Sequence, residues 1–297
     1  MATDPGRSLG AIDLPAAPTR LVAFELPWDG IGDGNTPALF AGVSGTNAGW
    51  RGAALFAATA TGNAMRPLAG SGRQRAIVGR CESALPPASP LLVDRRSTVD
   101  VRLAAADLAL ADAMLAGLLD GANRALIGAE IVQFMHAEAL GGALWRLSGL
   151  LRGRGGSEWA IDTHAVGEDF VLLDDRIITL DPRIVGDAAS ASIAAIGSGD
   201  EAAVSTPIAG AGTTCCPLAP VHGAVRQSGT GGITLTWVRR ARGAWGWPET
   251  VDVPLNEDEE RWTISYGDAA TPAVRWETGV AMLDLSTAQA ESLLATD

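Results

Sequence analysis

Lysine is absent: all 22 basic residues of this 297-residue chain are arginines. A phosphate-binding loop places a lysine ammonium on the phosphates, and Schiff-base chemistry needs a side-chain amine. Both are excluded. Positive charge is also outnumbered. The net charge is −12, the wrong sign for a whole-surface grip on nucleic acid or an anionic membrane. Cysteine is scarce, with Cys81, Cys215 and Cys216 the only three. Neighbouring cysteines rarely bridge each other and no zinc-type spacing is present, so reduced thiols are expected. Residues 1–20 contain no apolar core of signal-peptide length. No run approaches the roughly 18 apolar residues of a membrane span. A soluble protein synthesised in the cytoplasm, with no membrane insertion, is the expectation.

What is present is strand pattern. The hydrophobic share is 47%, enough for a sizeable core. "TRLVAFELPW", "PALFAGVSG" and "GAALFAATAT" read as strands, the last two joined by a turn at "TNAGWR". In "STVDVRLA", Val99, Val101 and Leu103 share one face. "ALIGAEIVQFMHAEAL" reads as a hairpin turning near Gly128, followed by strands in "GALWRLSGLLRG" and "EDFVLLDDRIITL". One Ala/Leu-rich helix is expected in "AADLALADAMLAGLLDGAN", with Leu108, Leu115, Leu118 and Leu119 on its buried stripe and Gly121 and Asn123 as stop signals. The fold class is therefore mainly β: a sandwich- or barrel-like domain over residues 19–216 after an N-terminal extension, 1–18. Small residues from Asp187 to Cys216 include a possible strand pair and end in a linker. Residues 217–297, with a Trp-bearing and a Tyr-bearing strand, suggest an immunoglobulin- or fibronectin III-like sandwich. About five strands are visible where about seven are usual, so an incomplete sandwich is expected.

Chemistry-bearing clusters are sparse. Asp162, His164, Glu168 and Asp169 put a histidine among carboxylates. His136 and His222 are remote in sequence, so a surface histidine is expected there and no metal. Ser44 in "GVSGT" misses the nucleophile-elbow pattern at Thr46. Glu130, Glu138 and the Asp174–Asp175 pair leave a glycosidase pair open. "NEDEERW" is acidic but lacks the spacing and glycine of an EF-hand. "LLRGRGGSE" is read as an extended arm with a glycine turn, in which Arg152 and Arg154 hold carboxylates or carbonyls and Glu158 closes the segment. Nine tryptophans accompany one tyrosine and five phenylalanines. Trp245 and Trp247, in "ARGAWGWPE", are the candidate partner-binding residues. No catalytic residue, cofactor or metal is expected.

A longer pattern runs through Glu130, Gln133, Phe134, Trp145–Ser148, Leu150–Gly153, Gly156–Glu158, His164, Gly167 and Phe170–Leu173. It resembles the tail-hub proteins of gene transfer agents and related siphophages, the "megatron" baseplate proteins similar in role to tip attachment proteins. Ser157 stands where threonine is more usual. "LFAGVSGTNAGWRGAALF", "DRRSTVDVRL" and "LAPVHGAVRQ…ITLTWVRRARGAWGWPETVDVPLNEDEERWTIS" extend the likeness over most of residues 20–280. The resemblance implies a structural, non-enzymatic component of a phage-like tail tip, assembled as a homotrimer with other tail proteins and a fibre or host glycan as partners. Members are much longer, with N-terminal hub segments and a glycosidase-like barrel. This chain is therefore expected to correspond to the C-terminal part of such a protein.

Overall fold

The computed structural model describes residues 14–59, 65–229, 231–243, 254–268 and 270–294. The chain divides into two compact units: residues up to Pro27 with Thr36–Thr214, and Trp28–Asn35 with the remainder from Cys215.

In the first unit, β1 (Thr19–Leu26), β2 (Ala38–Gly45), β3 (Ala53–Thr59) and β4 (Met65–Gly70) precede a closed barrel. The barrel strands are β5 (Val78–Cys81), β6 (Val93–Leu103), β7 (Arg124–Ile127), β8 (Glu130–Gly141), β9 (Leu144–Arg154) and β10 (Asp169–Leu172). Then come β11 (Ile178–Thr179), β12 (Ala191–Gly197) and β13 (Val204–Ala209). The outer strands form one seven-stranded sheet, in the order β11-β2-β1-β13-β12-β3-β4. The barrel, β10-β5-β6-β9-β8-β7, is thus inserted between the two halves of that sheet. β1 and β13 pair in parallel, which a long excursion between them permits.

β1 explains the near-continuous apolar run "RLVAFEL". Leu21 and Ala23 pack into the core on one sheet face, whereas Val22 and Phe24 face the barrel beside Val78, Ile131 and Val171. A strand buried on both faces has no polar side to alternate with. Sheet and barrel approach closely at Gly42. A Cβ there would sit 2.8 Å from Val78 Cγ1 and 3.2 Å from Val171 Cγ1. The barrel interior is filled by Val99, Val101, Leu103, Ile127, Phe134, Leu147, Leu150 and Phe170. Six strands enclose too little space for a lumen.

The expected helix is mostly absent. Only Leu115–Leu119 (α1) is helical. Residues 108–113 form neither helix nor strand, with Leu108 and Leu110 buried and Ala109 and Ala111 exposed. The Ala113 amide donates to Met135 O at 2.8 Å and Asp112 accepts from the Ala137 amide at 2.8 Å. These contacts to β8, with the burial of Leu108 and Leu110, override the helical propensity of alanine and leucine. The chain does turn at Gly121 (φ 93°) and Asn123 (φ 52°). A further short helix, α2 (Pro182–Val185), is capped by Asp181.

In the second unit, β14 (Val221–Gln227), β15 (Ile233–Val238) and β18 (Met282–Leu285) form one sheet, and β16 (Trp262–Gly267) and β17 (Pro272–Thr278) another. Trp237 packs edge-on against Trp262, their rings 5.5 Å apart, joining the two sheets. The described residues contain these five strands. A helix the sequence reading missed, α3 (Thr287–Leu294), follows. Ser286 and Gln289 bond each other's amides in a capping box at its start.

Candidate functional site

The stretch read as an extended arm is barrel strand β9, paired with β6 and β8. Between the pairs Gln133–Leu151 and Ile131–Arg154, two β9 residues, Arg152 and Gly153, face the single β8 residue Val132. This bulge turns the Arg152 side chain inward. Gly153 has φ 59°. A Cβ on it would come within 2.8 Å of Glu158 Cγ. Glycine is required there on both counts.

Arg152 is fully buried. Its Nε and Nη2 donate to Glu130 at 2.9 and 2.8 Å, and Nη1 donates to Pro86 O at 2.8 Å. Asp94 Oδ2 lies 3.5 Å from Nη1. Glu130, also fully buried, accepts the Gly153 amide at 2.6 Å as well. Its Oε2 lies 2.6 Å from His164 Nε2. The other ring nitrogen, Nδ1, lies 2.7 Å from Glu168 Oε2. The His164 side chain is only 1% exposed. The expectation of a surface histidine is therefore corrected: loop 155–168 folds the ring against the end of the barrel.

The protonation state follows from geometry. A neutral imidazole has one N–H, so one of its nitrogens would face a carboxylate lone pair to lone pair. Only the imidazolium donates to both carboxylates. Burial draws His164 toward neutrality, but the hydrogen bonds to Glu130 and Glu168 outweigh it and hold its pKa above the ordinary value. Burial likewise opposes ionisation of Glu130, yet His164, Arg152 and the Gly153 amide depress its pKa. Arg152 and His164 thus face the carboxylates of Glu130, Glu168 and Asp94. Asp94 is also held below the usual range: burial opposes this, but the Ser97 hydroxyl, the amides of Ser97 and Arg96 and the nearby Arg152 prevail.

This cluster sits where β5, β7 and β9 end and β6, β8 and β10 begin, tying together the loops 82–92 and 155–168. Of the four residues read as a possible metal set, His164 and Glu168 meet here. Asp162 is exposed, and Asp169 lies 3.4 Å from Arg80. Arg152 occupies the place of a cation among the carboxylates. Among the described residues no group of three or more ligating side chains has metal-binding geometry. Arg154 is exposed, and its carbonyl accepts Ser157 Oγ at 2.8 Å. Glu158 packs against Gly153.

The carboxylates weighed as a hydrolytic pair do not converge. Glu138 is exposed on β8 opposite Arg146, and Asp174, ion-paired with Arg176, follows β10 at the opposite end of the barrel from Glu130. Ser44 is buried within β2. The acidic turn at 256–262 is engaged with arginines: Glu257 accepts from Arg242 at 2.6 Å and Glu260 lies 3.8 Å from Arg239. Trp245 and Trp247 lie outside the described residues.

Sequence reasoning did not single out Glu130 as the hub of this cluster. The signal was a buried-strand position carrying a charge, followed by Ile131 and Val132.

Residues 76–171 match the family described as Rcc01698-like, C-terminal, named after a gene-transfer-agent-related gene of Rhodobacter capsulatus. The match begins two residues before β5 and ends within β10. It therefore coincides with the inserted barrel and contains Glu130, Arg152, His164 and Glu168. No curated protein matches the chain. No helix among the described residues is long and apolar enough to cross a membrane.

Proposed function

We propose that this chain is a structural component of the tail tip or baseplate of a phage-like particle related to gene transfer agents, contributing to assembly and to fibre or receptor attachment. The observation that carries the reading is the coincidence of the matched segment with a filled, closed barrel at whose end Arg152, Glu130 and His164 bond one another. A substrate site needs polar groups with unspent hydrogen-bonding capacity. Here arginine, glutamate and histidine spend it on one another. The proposed partners are other tail proteins and a fibre, around a homotrimeric axis, with no nucleic acid. The proposed location is the particle's tail tip, after synthesis in the cytoplasm. Gold-labelled antibody against the chain, applied to particles shed by the source strain, is expected to decorate one tail end. Labelling confined to capsids, or to material without particles, would refute the assignment.

A second reading, a carbohydrate- or receptor-binding module, is supported by an open groove of about 370 Å³ between the sheets of the second unit, lined by Leu235, Trp237, Trp262 and Ile264. A glycan array comparing the wild type with Trp262→Ala, which lines this groove, and with Trp245→Ala/Trp247→Ala tests it. We propose no catalytic activity; peptidoglycan zymography is expected to show no clearing.

A further inference from the structure

The three thiols occupy contrasting settings. Cys81 is buried inside the barrel. Burial, with the charges of Glu168 and Asp169 behind it, pushes its pKa up to about 12. A thiol so placed is inert toward exchange. Cys215 and Cys216 are both exposed and unlinked, side by side in the chain.

A cation is fixed beside them. The Gly34 carbonyl accepts Arg242 Nη1 at 2.8 Å and faces Cys215 Sγ at 3.9 Å, so thiol and guanidinium share one oxygen. Arg242 is anchored there by Glu257 at 2.6 Å and the Asn256 carbonyl at 3.1 Å, with Trp28 beneath it at 5.8 Å. Both thiols lie within its electrostatic reach. Sulfur attacks as its anion, and the guanidinium gives that anion a counter-charge that does not move away.

We propose that Cys215 and Cys216 form a reversible redox site, a vicinal dithiol that exchanges with a low-molecular-weight disulfide such as oxidised glutathione. In the first step the Cys215 thiolate attacks one sulfur of the disulfide. A Cys215–glutathione bond forms, the glutathione S–S bond breaks, and one glutathione thiolate leaves. In the second step the Cys216 thiolate attacks Cys215 Sγ, forming the Cys215–Cys216 bond and expelling the second glutathione. The protein loses two protons and two electrons, which reduce one glutathione disulfide to two thiols.

Adjacency makes the second step intramolecular and its product strained. Cα atoms joined by a trans peptide lie about 3.8 Å apart, whereas disulfides usually span about 4.4–6.8 Å. Strained disulfides have oxidising potentials and reopen readily. The closed form is therefore a transient, reducible state and the dithiol is the resting one.

The test treats the folded full chain with oxidised glutathione at neutral pH, blocks free thiols, and maps each cysteine by mass spectrometry. The wild type is expected to lose two hydrogens at Cys215–Cys216, to retain no glutathione, and to keep Cys81 as a free thiol. Cys216→Ser is expected to trap one glutathione on Cys215. Dithiothreitol should restore both thiols. Glutathione retained on the wild-type pair, an unreacted pair, or modification of Cys81 in the folded chain would each overturn the proposal. A parallel reaction in denaturant, where all three thiols must react, verifies the chemistry.

Discussion

His164 bridges Glu130 and Glu168, its two ring nitrogens 2.6 and 2.7 Å from the carboxylates. One partner opens strand β8 and the other lies just before β10. The ring thus pins loop 155–168 across the end of the barrel. Stability should follow its charge. The folded-state pKa is raised, so between the unfolded value of about 6.5 and the folded value the native state binds the extra proton. The stabilisation is complete below the unfolded pKa and is lost as pH rises through the folded pKa. A pH series of thermal melts should show the decline on the alkaline side, and His164→Gln should flatten it. An unchanged slope in the variant would place the proton elsewhere.

Glu130 supplies the opposite limb. Its pKa is depressed, so its contribution is present above the unfolded value and is lost as pH falls through the folded one. Glu130→Gln should therefore weaken the acid-side loss of stability. Melts at successively lower pH test this, and equal acid sensitivity of variant and wild type would contradict it.

Arg152 and Arg154 should behave very differently despite standing two residues apart. Arg152→Ala leaves Glu130 buried beside only one cation, a change that typically costs about 3–5 kcal/mol. Arg154 is exposed, and Arg154→Ala should fall within about 0.5 kcal/mol of the wild type. Thermal or denaturant melts of both single variants and the double variant check this. The double should match Arg152→Ala, and equal effects of the two singles would refute the assignment.

Gly153→Ala should destabilise more than a cap loss does. The position combines a left-handed backbone with a Cβ approach of 2.8 Å to Glu158 Cγ. A loss of at least about 1 kcal/mol is expected. Glu158→Ala in the same background should recover part of it by removing the Cγ contact, leaving the 3.0 Å approach to Glu158 Cα and the backbone penalty. No recovery would mean that the Cγ contact adds nothing to the cost.

The strands were readable because alternation is a local property: Val99, Val101 and Leu103 declare one face and bury it. The Ala/Leu-rich helix was misread because Leu108 continues the helical stripe of Leu115, Leu118 and Leu119, whereas in the fold it alternates with Leu110, and hydrogen bonds to β8 decided between the two. α3 was missed although Ser286 and Gln289 carry a capping-box signature. The site was legible only in fragments. His164 and Glu168 are four residues apart, so their pairing was within reach. Glu130 and Arg152 are brought together by a β8–β9 bulge, and Pro86 meets Arg152 only once the barrel closes. Register and closure are long-range outcomes that residue spacing does not encode.

The central claim is that Glu130 and Arg152 form a structural clamp, each present to neutralise the other. A double-mutant cycle with Glu130→Gln and Arg152→Met, read as unfolding free energy, tests it most directly. The account predicts strong coupling, at least about 2 kcal/mol, with the double variant more stable than Arg152→Met alone because the orphaned charge is gone. Additive losses within about 0.5 kcal/mol would contradict it.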